Sequence, residues 1–335
     1  MNGLFSGPTT PSSAGLSFYY YPRLHFVSAR PGSPDGRLWM AGMVAQSADA
    51  DVINAPGNWT NGNTLSIGAG NTLLEESTVV MFPPISPAYR DWQVAIGGMK
   101  TTNAHGGSNI TNECYIMPTR GAPPNWVPAL PMQHPRKFPN AVILPDASIL
   151  VIGGGTNPAH GVPGQAQFEP ELFFNGAWYR LSNQATERTY HSVALLLPDG
   201  RVFSAGGDTC SPGAEYEIFE PPYLQGAPAR PAFVGSPPAI IRYGQQHTFQ
   251  VSAPFGQSVK DVVLLRPGSV THSQDPGQRY EPLTWFVPNP PDDQNDAITV
   301  VGPANPTLIP PGFCMMFLVS SAGVPSVAHW IQLLP

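Results

Sequence analysis

The sequence predicts an all-β protein: propeller-type blades over residues 1–226, then an immunoglobulin-like β-sandwich over 227–335. Three observations predict it. Gly (34) and Pro (41) are abundant in 335 residues while charged residues make up only 11%, a profile of short strands and tight turns. A unit of about 50 residues recurs in the first two thirds of the chain. After a proline-rich stretch the repeat stops and plain alternation begins.

The clearest copies of the unit run from Arg136-Lys137-Phe138 through Leu144-Pro145-Asp146 to Gly153-Gly154, and from Arg188-Thr189-Tyr190 through Leu197-Pro198-Asp199-Gly200 to Gly206-Gly207. In both, the aspartate stands seven positions before the first glycine of the pair. An apolar run (Ala141 to Leu144, Val193 to Leu197) reads as a buried strand. The Pro-Asp step reads as a turn, because Pro presets φ and Asp or Gly accepts positive φ. A second strand follows, Ile149 to Ile152 or Arg201 to Ala205, and the glycine pair lets backbones approach closely. Two weaker copies precede these, from Arg23 to Ala41-Gly42 and from Thr78 to Gly97-Gly98. Glycine pairs recur at about 50 to 56 residues, near the kelch period of roughly 50. Trp126 and Trp178 fit a later strand of the same unit. About four blades are therefore expected, where closed rings have about four to eight.

The stretch Ala227-Pro228-Ala229-Arg230-Pro231 reads as a linker. Beyond it, His247–Val251, Val259–Leu265, Ala297–Val301, Phe313–Ser320 and Val327–Leu333 read as the strands of the sandwich.

Several function classes are excluded or disfavoured. Net charge is -6 with no basic block, so no nucleic-acid footprint is expected. No apolar run approaches the roughly 18 residues that span a bilayer. Residues 1–15 have neither the basic start nor the apolar stretch of a signal peptide. Cys114, Cys210 and Cys314 form no CxxC and no zinc pattern, and Cys314 reads as a buried small hydrophobe. Asn58-Trp59-Thr60 and Asn109-Ile110-Thr111 fit the N-glycosylation triplet. His329 is expected in a structural or surface role, His105 in a loop, and His134 at a strand end.

Three segments carry a family resemblance. The first is the run from Arg188-Thr189-Tyr190-His191-Ser192 to Pro198-Asp199-Gly200-Arg201-Val202. The second is Leu264-Leu265-Arg266-Pro267-Gly268-Ser269-Val270-Thr271-His272, with Gln278-Arg279 beyond. The third is Pro310-Pro311-Gly312-Phe313, continuing through Ala322-Gly323-Val324-Pro325-Ser326-Val327-Ala328. Together they resemble the C-terminal part of the copper-radical oxidases (galactose oxidase and glyoxal oxidase). The resemblance implies a copper site in which Tyr190 is the axial ligand and proton acceptor, with His191 and His272 as equatorial ligands. It implies a primary alcohol, sugar or aldehyde as substrate, dioxygen as acceptor, and an extracellular setting.

Adjacent strand residues point to opposite faces, so Tyr190 and His191 can share a metal only where the chain bends, at a strand entrance. A phenol with two imidazoles is an N,N,O set suited to Cu(II), and less so to zinc without a carboxylate or thiolate. A long turn, Pro267 to Gln278, is expected to carry His272 to the propeller face. Counting two residues on from each unit's arginine aligns Tyr190 with Phe138 and His25. All three are then expected at the mouth of the central channel. In the resembled family an aromatic at the position of Phe138 lines the substrate pocket, and His25 would contact substrate or a ligand.

The family's second electron store is a tyrosine cross-linked to a cysteine, in blades upstream of the one beginning near Tyr21-Pro22-Arg23. No counterpart is read in this chain. Cys114-Tyr115 is disfavoured because neighbours in a strand point apart, and Phe138 has no phenol. An incomplete ring would expose blade faces, so further blades from upstream sequence or another chain are expected to complete it. The alternative reading is a non-catalytic kelch module that binds carbohydrate or protein.

Overall fold

The computed structural model describes residues 73–84, 92–101, 109–118, 126–159, 162–209, 216–287 and 296–335, with backbone alone for Leu73, Thr101, Asp296 and four earlier strands. Those four, β1 (Arg23–Val27), β2 (Arg37–Ala41), β3 (Gln46–Ala50) and β4 (Trp59–Thr64), form an up-and-down sheet in chain order. The second blade is built from β6 (Thr78–Met81), β7 (Trp92–Ile96), β10 (Cys114–Pro118) and β11 (Val127–Ala129). A small sheet of β5 (Leu73–Glu75), β8 (Met99–Thr101) and β9 (Asn109–Ile110) stands beside it, which the repeat did not predict. The third blade is β12 (Asn140–Ile143), β13 (Ile149–Ile152), β14 (Glu171–Phe174) and β15 (Ala177–Arg180). The fourth is β16 (Ser192–Leu196), β17 (Val202–Gly206) and β18 (Tyr216–Phe219). Apolar runs became first strands for the expected reason: Val79, Val80, Ala141 to Leu144 and Ala194 are all buried.

The innermost strands stand side by side, with β12 between β6 and β16. Two joints hold neighbouring blades together. The N–H groups of Gly98 and Gly154 donate to the carbonyls of Arg136 and Arg188 in the next blade, at 2.8 and 2.7 Å. The glycine before each presses on the same carbonyl. A β-carbon at Gly97 would lie 2.5 Å from the Arg136 oxygen, and one at Gly153 2.6 Å from the Arg188 oxygen. Both glycines also have positive φ, so no other residue fits without strain.

After a 3-10 turn at Pro222–Leu224 the chain enters the sandwich. One sheet is β19 (Ala232–Val234), β21 (Gln246–Ser252), β25 (Asp296–Val301) and β24 (Thr284–Phe286), in the order β19-β21-β25-β24. The other is β20 (Ile240–Arg242), β27 (His329–Leu334), β26 (Gly312–Ser320), β22 (Val259–Leu265) and β23 (Tyr280–Pro282). All five expected strands form. The four missed ones are three-residue edges, too short to alternate visibly. Both faces of β22 and β26 are buried. Val262, Leu264, Cys314, Met316 and Leu318 fill the sandwich core, while Val263, Leu265, Met315, Phe317 and Val319 pack on the blades. Cys314 is thus a core hydrophobe, its thiol pushed up to about 12 by burial.

Among the described residues no helix is long and apolar enough to cross a membrane.

Candidate metal centre

Tyr190 and His191 lie at the entrance to β16, in a turn rather than in the strand. His191 has φ of +66°. That left-handed residue supplies the bend that lets two adjacent side chains turn to one side. Their rings lie 3.8 Å apart between centroids.

His272 arrives from the other unit, on the connection between β22 and β23. Thr271 and Gln274 exchange both backbone hydrogen bonds, at 3.0 and 2.9 Å. Between them His272 and Ser273 both have positive φ, 52° and 61°, the conformation of a tight primed turn. Neither is glycine, so the turn is strained and must be held from outside. The blades hold it. Ser273 Oγ donates to the Phe138 carbonyl at 2.9 Å, and Gln274 Nε2 to the Ser77 carbonyl at 2.8 Å. Gln278 Nε2 donates to the Ala141 carbonyl, and its Oε1 accepts from Ile143 N–H, at 2.8 and 2.9 Å. Inside the loop, the buried Asp275 accepts from Ser269 N–H at 3.1 Å, and burial raises its carboxyl above the usual range.

The result is a cluster of three rings from two units. His272 lies 4.9 Å from His191 and 5.6 Å from Tyr190, between centroids. Imidazoles sharing a metal at bonds of about 2.0 Å have centroids roughly 4.5 Å apart when cis and roughly 6 Å when trans; the observed spacing falls in that interval. His191 Nδ1 is engaged by Asp208 Oδ1 and His272 Nδ1 by Thr271 Oγ1, each at 2.7 Å. Nε2 is therefore the nitrogen each ring would offer to a metal. Desolvation, and then the neighbouring His191, hold the His272 imidazole below its ordinary value. Among the described residues no cluster of three His, Cys, Asp or Glu could hold a metal, and the Tyr190 phenol is the further oxygen donor that stands beside the two imidazoles. The donor chemistry fits Cu(II).

Phe138 packs on Tyr190 at 4.4 Å, but the arginine count gave it the wrong equivalence. In the second, third and fourth blades, Thr78, Asn140 and Val193 pair with the residue just before the glycine pair: Ile96, Ile152 and Ala205. Two positions ahead of them stand Glu76, Phe138 and His191, all with positive φ. Phe138 is therefore the counterpart of His191, and Lys137 that of Tyr190. Their cross-strand partners agree, since Lys137 bridges Gly155 and Asp208 N–H donates to the Tyr190 carbonyl. Thr189 is the extra residue that misled the count. In the first sheet Arg23 pairs with Ala41 and His25 with Trp39. His25 thus lies inside its strand and not at its entrance, and its side chain is outside the described residues.

Lys137 is buried against Glu76 at 3.0 Å and donates to the Pro158 carbonyl at 2.6 Å. Asp208, Ser273 and Lys137 were not singled out from sequence. For Asp208 a signal existed: an acidic residue directly after the glycine pair of the blade that carries the histidine.

Cys114 and Tyr115 face opposite sides of their sheet, each in a different apolar cluster. Tyr115 donates to Glu113 at 2.6 Å. His329 bonds the Pro238 carbonyl at 3.2 Å, a structural contact, and His134 pairs with Glu169 at 2.7 Å. His105 and Cys210 lie outside the described residues.

Residues 230–333 match the family "Galactose oxidase-like, Early set domain". Galactose oxidase of Gibberella zeae is 30% identical over 261 residues, covering 74% of this chain and 35% of that protein. Aldehyde oxidase GLOX of Vitis pseudoreticulata is 34% identical over 224 residues, covering 61% and 42%. A fungal alcohol oxidase of the AA5 family, solved in complex with copper, superposes with a TM-score of 0.77 at 23% identity. It matches 93% of this chain and 63% of its own, which establishes a shared fold. The chain is similar to the copper-radical oxidases over the C-terminal part of their sequence. It spans 35% to 42% of the length of these curated relatives.

Proposed function

We propose that this chain carries the copper-binding part of a copper-dependent oxidase. It would convert a primary alcohol, sugar or aldehyde to the carbonyl or acid, with reduction of dioxygen to hydrogen peroxide. The observation that carries the reading is the meeting of one phenol and two imidazoles from separate units, on strained turns held by buried hydrogen bonds. Copper bound there would supply one-electron redox chemistry and a position for a substrate oxygen.

In this reading His191 and His272 hold the metal through Nε2. Tyr190, as phenolate, takes the proton of an alcohol O–H, and the Phe138 ring forms an apolar wall beside it. Two electrons and two protons leave an alcohol and dioxygen accepts them as hydrogen peroxide; copper would carry one of the electrons, and the resemblance implies a tyrosine cross-linked to a cysteine, not read in this chain, to carry the other. An extracellular setting follows from the resemblance, and Asn109 is exposed, as a glycosylated asparagine must be. A second reading is a copper-binding module without turnover, which could contact carbohydrate or protein. It is favoured by Cys114 and Tyr115 facing apart, so that pair supplies no cross-linked phenol.

The test is Cu(II) titration against a competing chelator, with a peroxide assay on primary alcohols and aldehydes. Tyr190→Phe is expected to abolish the phenolate-to-copper absorption, and His272→Ala to weaken binding roughly 100-fold or more. Unchanged affinity in both variants would reject the site. Copper binding without peroxide from any substrate would favour the second reading.

A further inference from the structure

We propose that Asp208 is a positioning residue for His191, fixing the tautomer and direction of the imidazole that faces the metal. The inference rests on the copper-binding reading above. Asp208 directly follows Gly206-Gly207. Its N–H donates to the Tyr190 carbonyl at 2.8 Å, which seats it opposite the ligand pair. Its carboxylate Oδ1 then lies 2.7 Å from His191 Nδ1. An N–H···carboxylate bond there places the proton on Nδ1 and the lone pair on Nε2.

Two features give the contact work to do. His191 is 48% exposed and has a left-handed backbone, so burial does little to hold its ring against rotation toward solvent. The neighbouring register is also pinned. Thr189 and Thr209 share a hydroxyl hydrogen bond at 2.9 Å, and a β-carbon on Gly207 would come within 3.1 Å of Thr189 N. The carboxylate is therefore delivered by a rigid crossing.

The third blade is an internal control. Its residues equivalent to Asp208 and His191 are Gly155 and Phe138. Where the strand entrance carries no ring nitrogen, the opposite residue carries no side chain. Asp208 meets the Nδ1 side of the ring, away from the Nε2 that would face the metal.

The experiment uses the full chain with Asp208→Ala, Asp208→Asn and His191→Ala. In the metal-free protein, long-range 1H–15N spectra are expected to show His191 protonated at Nδ1. That tautomer should disperse in Asp208→Ala and persist in Asp208→Asn, which keeps an acceptor. Cu(II) affinity should fall about 10- to 100-fold in Asp208→Ala, with partial recovery in Asp208→Asn, while thermal stability without metal stays near wild type. If His191→Ala loses copper and Asp208→Ala does not, the role of Asp208 is overturned and the copper site stands. If wild type and His191→Ala bind copper equally, the copper reading fails and takes this role with it.

Discussion

The third and fourth blades share one internal clamp and differ in what surrounds it. In the third, Arg136 donates to the Gly153 carbonyl at 3.2 Å and to Glu171 at 2.7 Å, and both side chains are fully buried. Glu171 also accepts the N–H groups of Gln133 and His134. In the fourth, Arg188 donates to the Gly206 carbonyl at 3.1 Å and to Glu217 at 3.4 Å. Glu217 accepts Ala185 and Thr186 N–H and is 26% exposed. The third clamp sits between two described neighbours and the fourth beside one. The same residues thus form a dry, load-carrying joint in one blade and a wetter one in the blade that holds the candidate metal ligands. At the site, the loop that carries His272 is tied to the second and third blades by Ser273, Gln274 and Gln278.

Removing each arginine should break this comparison most visibly. Arg136→Ala strands a buried carboxylate and should cost about 3–5 kcal/mol. Arg188→Ala, whose partner reaches water, should cost about 2 kcal/mol. Chemical denaturation of the two variants measures the gap, and equal losses would mean that burial of the pair does not set its worth.

A smaller effect is expected at the interface between the units. Gln278→Ala leaves the Ala141 carbonyl and Ile143 N–H without their partner and should cost about 2–3 kcal/mol. It should also loosen the loop that carries His272, so copper affinity should fall although no ligand has changed. Stability lost with affinity intact would show that the loop is held elsewhere.

The glycine joints sharpen the contrast further. Gly153→Ala drives a β-carbon into the next blade's Arg188 carbonyl, whereas at Gly206 the nearest atom is the His191 carbonyl at 3.1 Å. The left-handed backbone alone costs about 1–2 kcal/mol at either site. Gly153→Ala should therefore lower the melting temperature by more than Gly206→Ala does.

The mildest expected effect is on pH. Metal ligation requires neutral imidazoles, so copper should leave as pH falls. His272 is held below the ordinary histidine value, so it stays neutral to lower pH than a solvated imidazole would. The step that belongs to His272 should lie below about pH 6.5. Copper retention followed by absorption across pH 4–8 tests this, and a His272 step above about pH 6.5 would contradict its desolvated setting.

Much of the fold was legible because its signals are local. Pro-Asp turns, glycine pairs and apolar runs each act within a few residues, so blades and long sandwich strands could be read directly. Short edge strands could not, since three residues carry no visible period. Tyr190, His191 and His272 were legible through motifs rather than through periodicity. The equivalence of Phe138 was misread because one inserted residue, Thr189, shifts a count but not a hydrogen-bonded ladder. Ser273 and Gln278 were invisible as partners because their contacts cross from one unit to another.

The amino-acid sequence by itself determined an all-β chain of repeated hairpins followed by sandwich strands, and the residue types able to bind a metal. Only the tertiary structure decided that rings more than 80 positions apart meet at one point, and which backbone groups hold them there. Strand and turn propensity act between neighbours along the chain. The meeting of His272 with Tyr190 depends on docking one unit against another, and that is set by buried contacts no local pattern records.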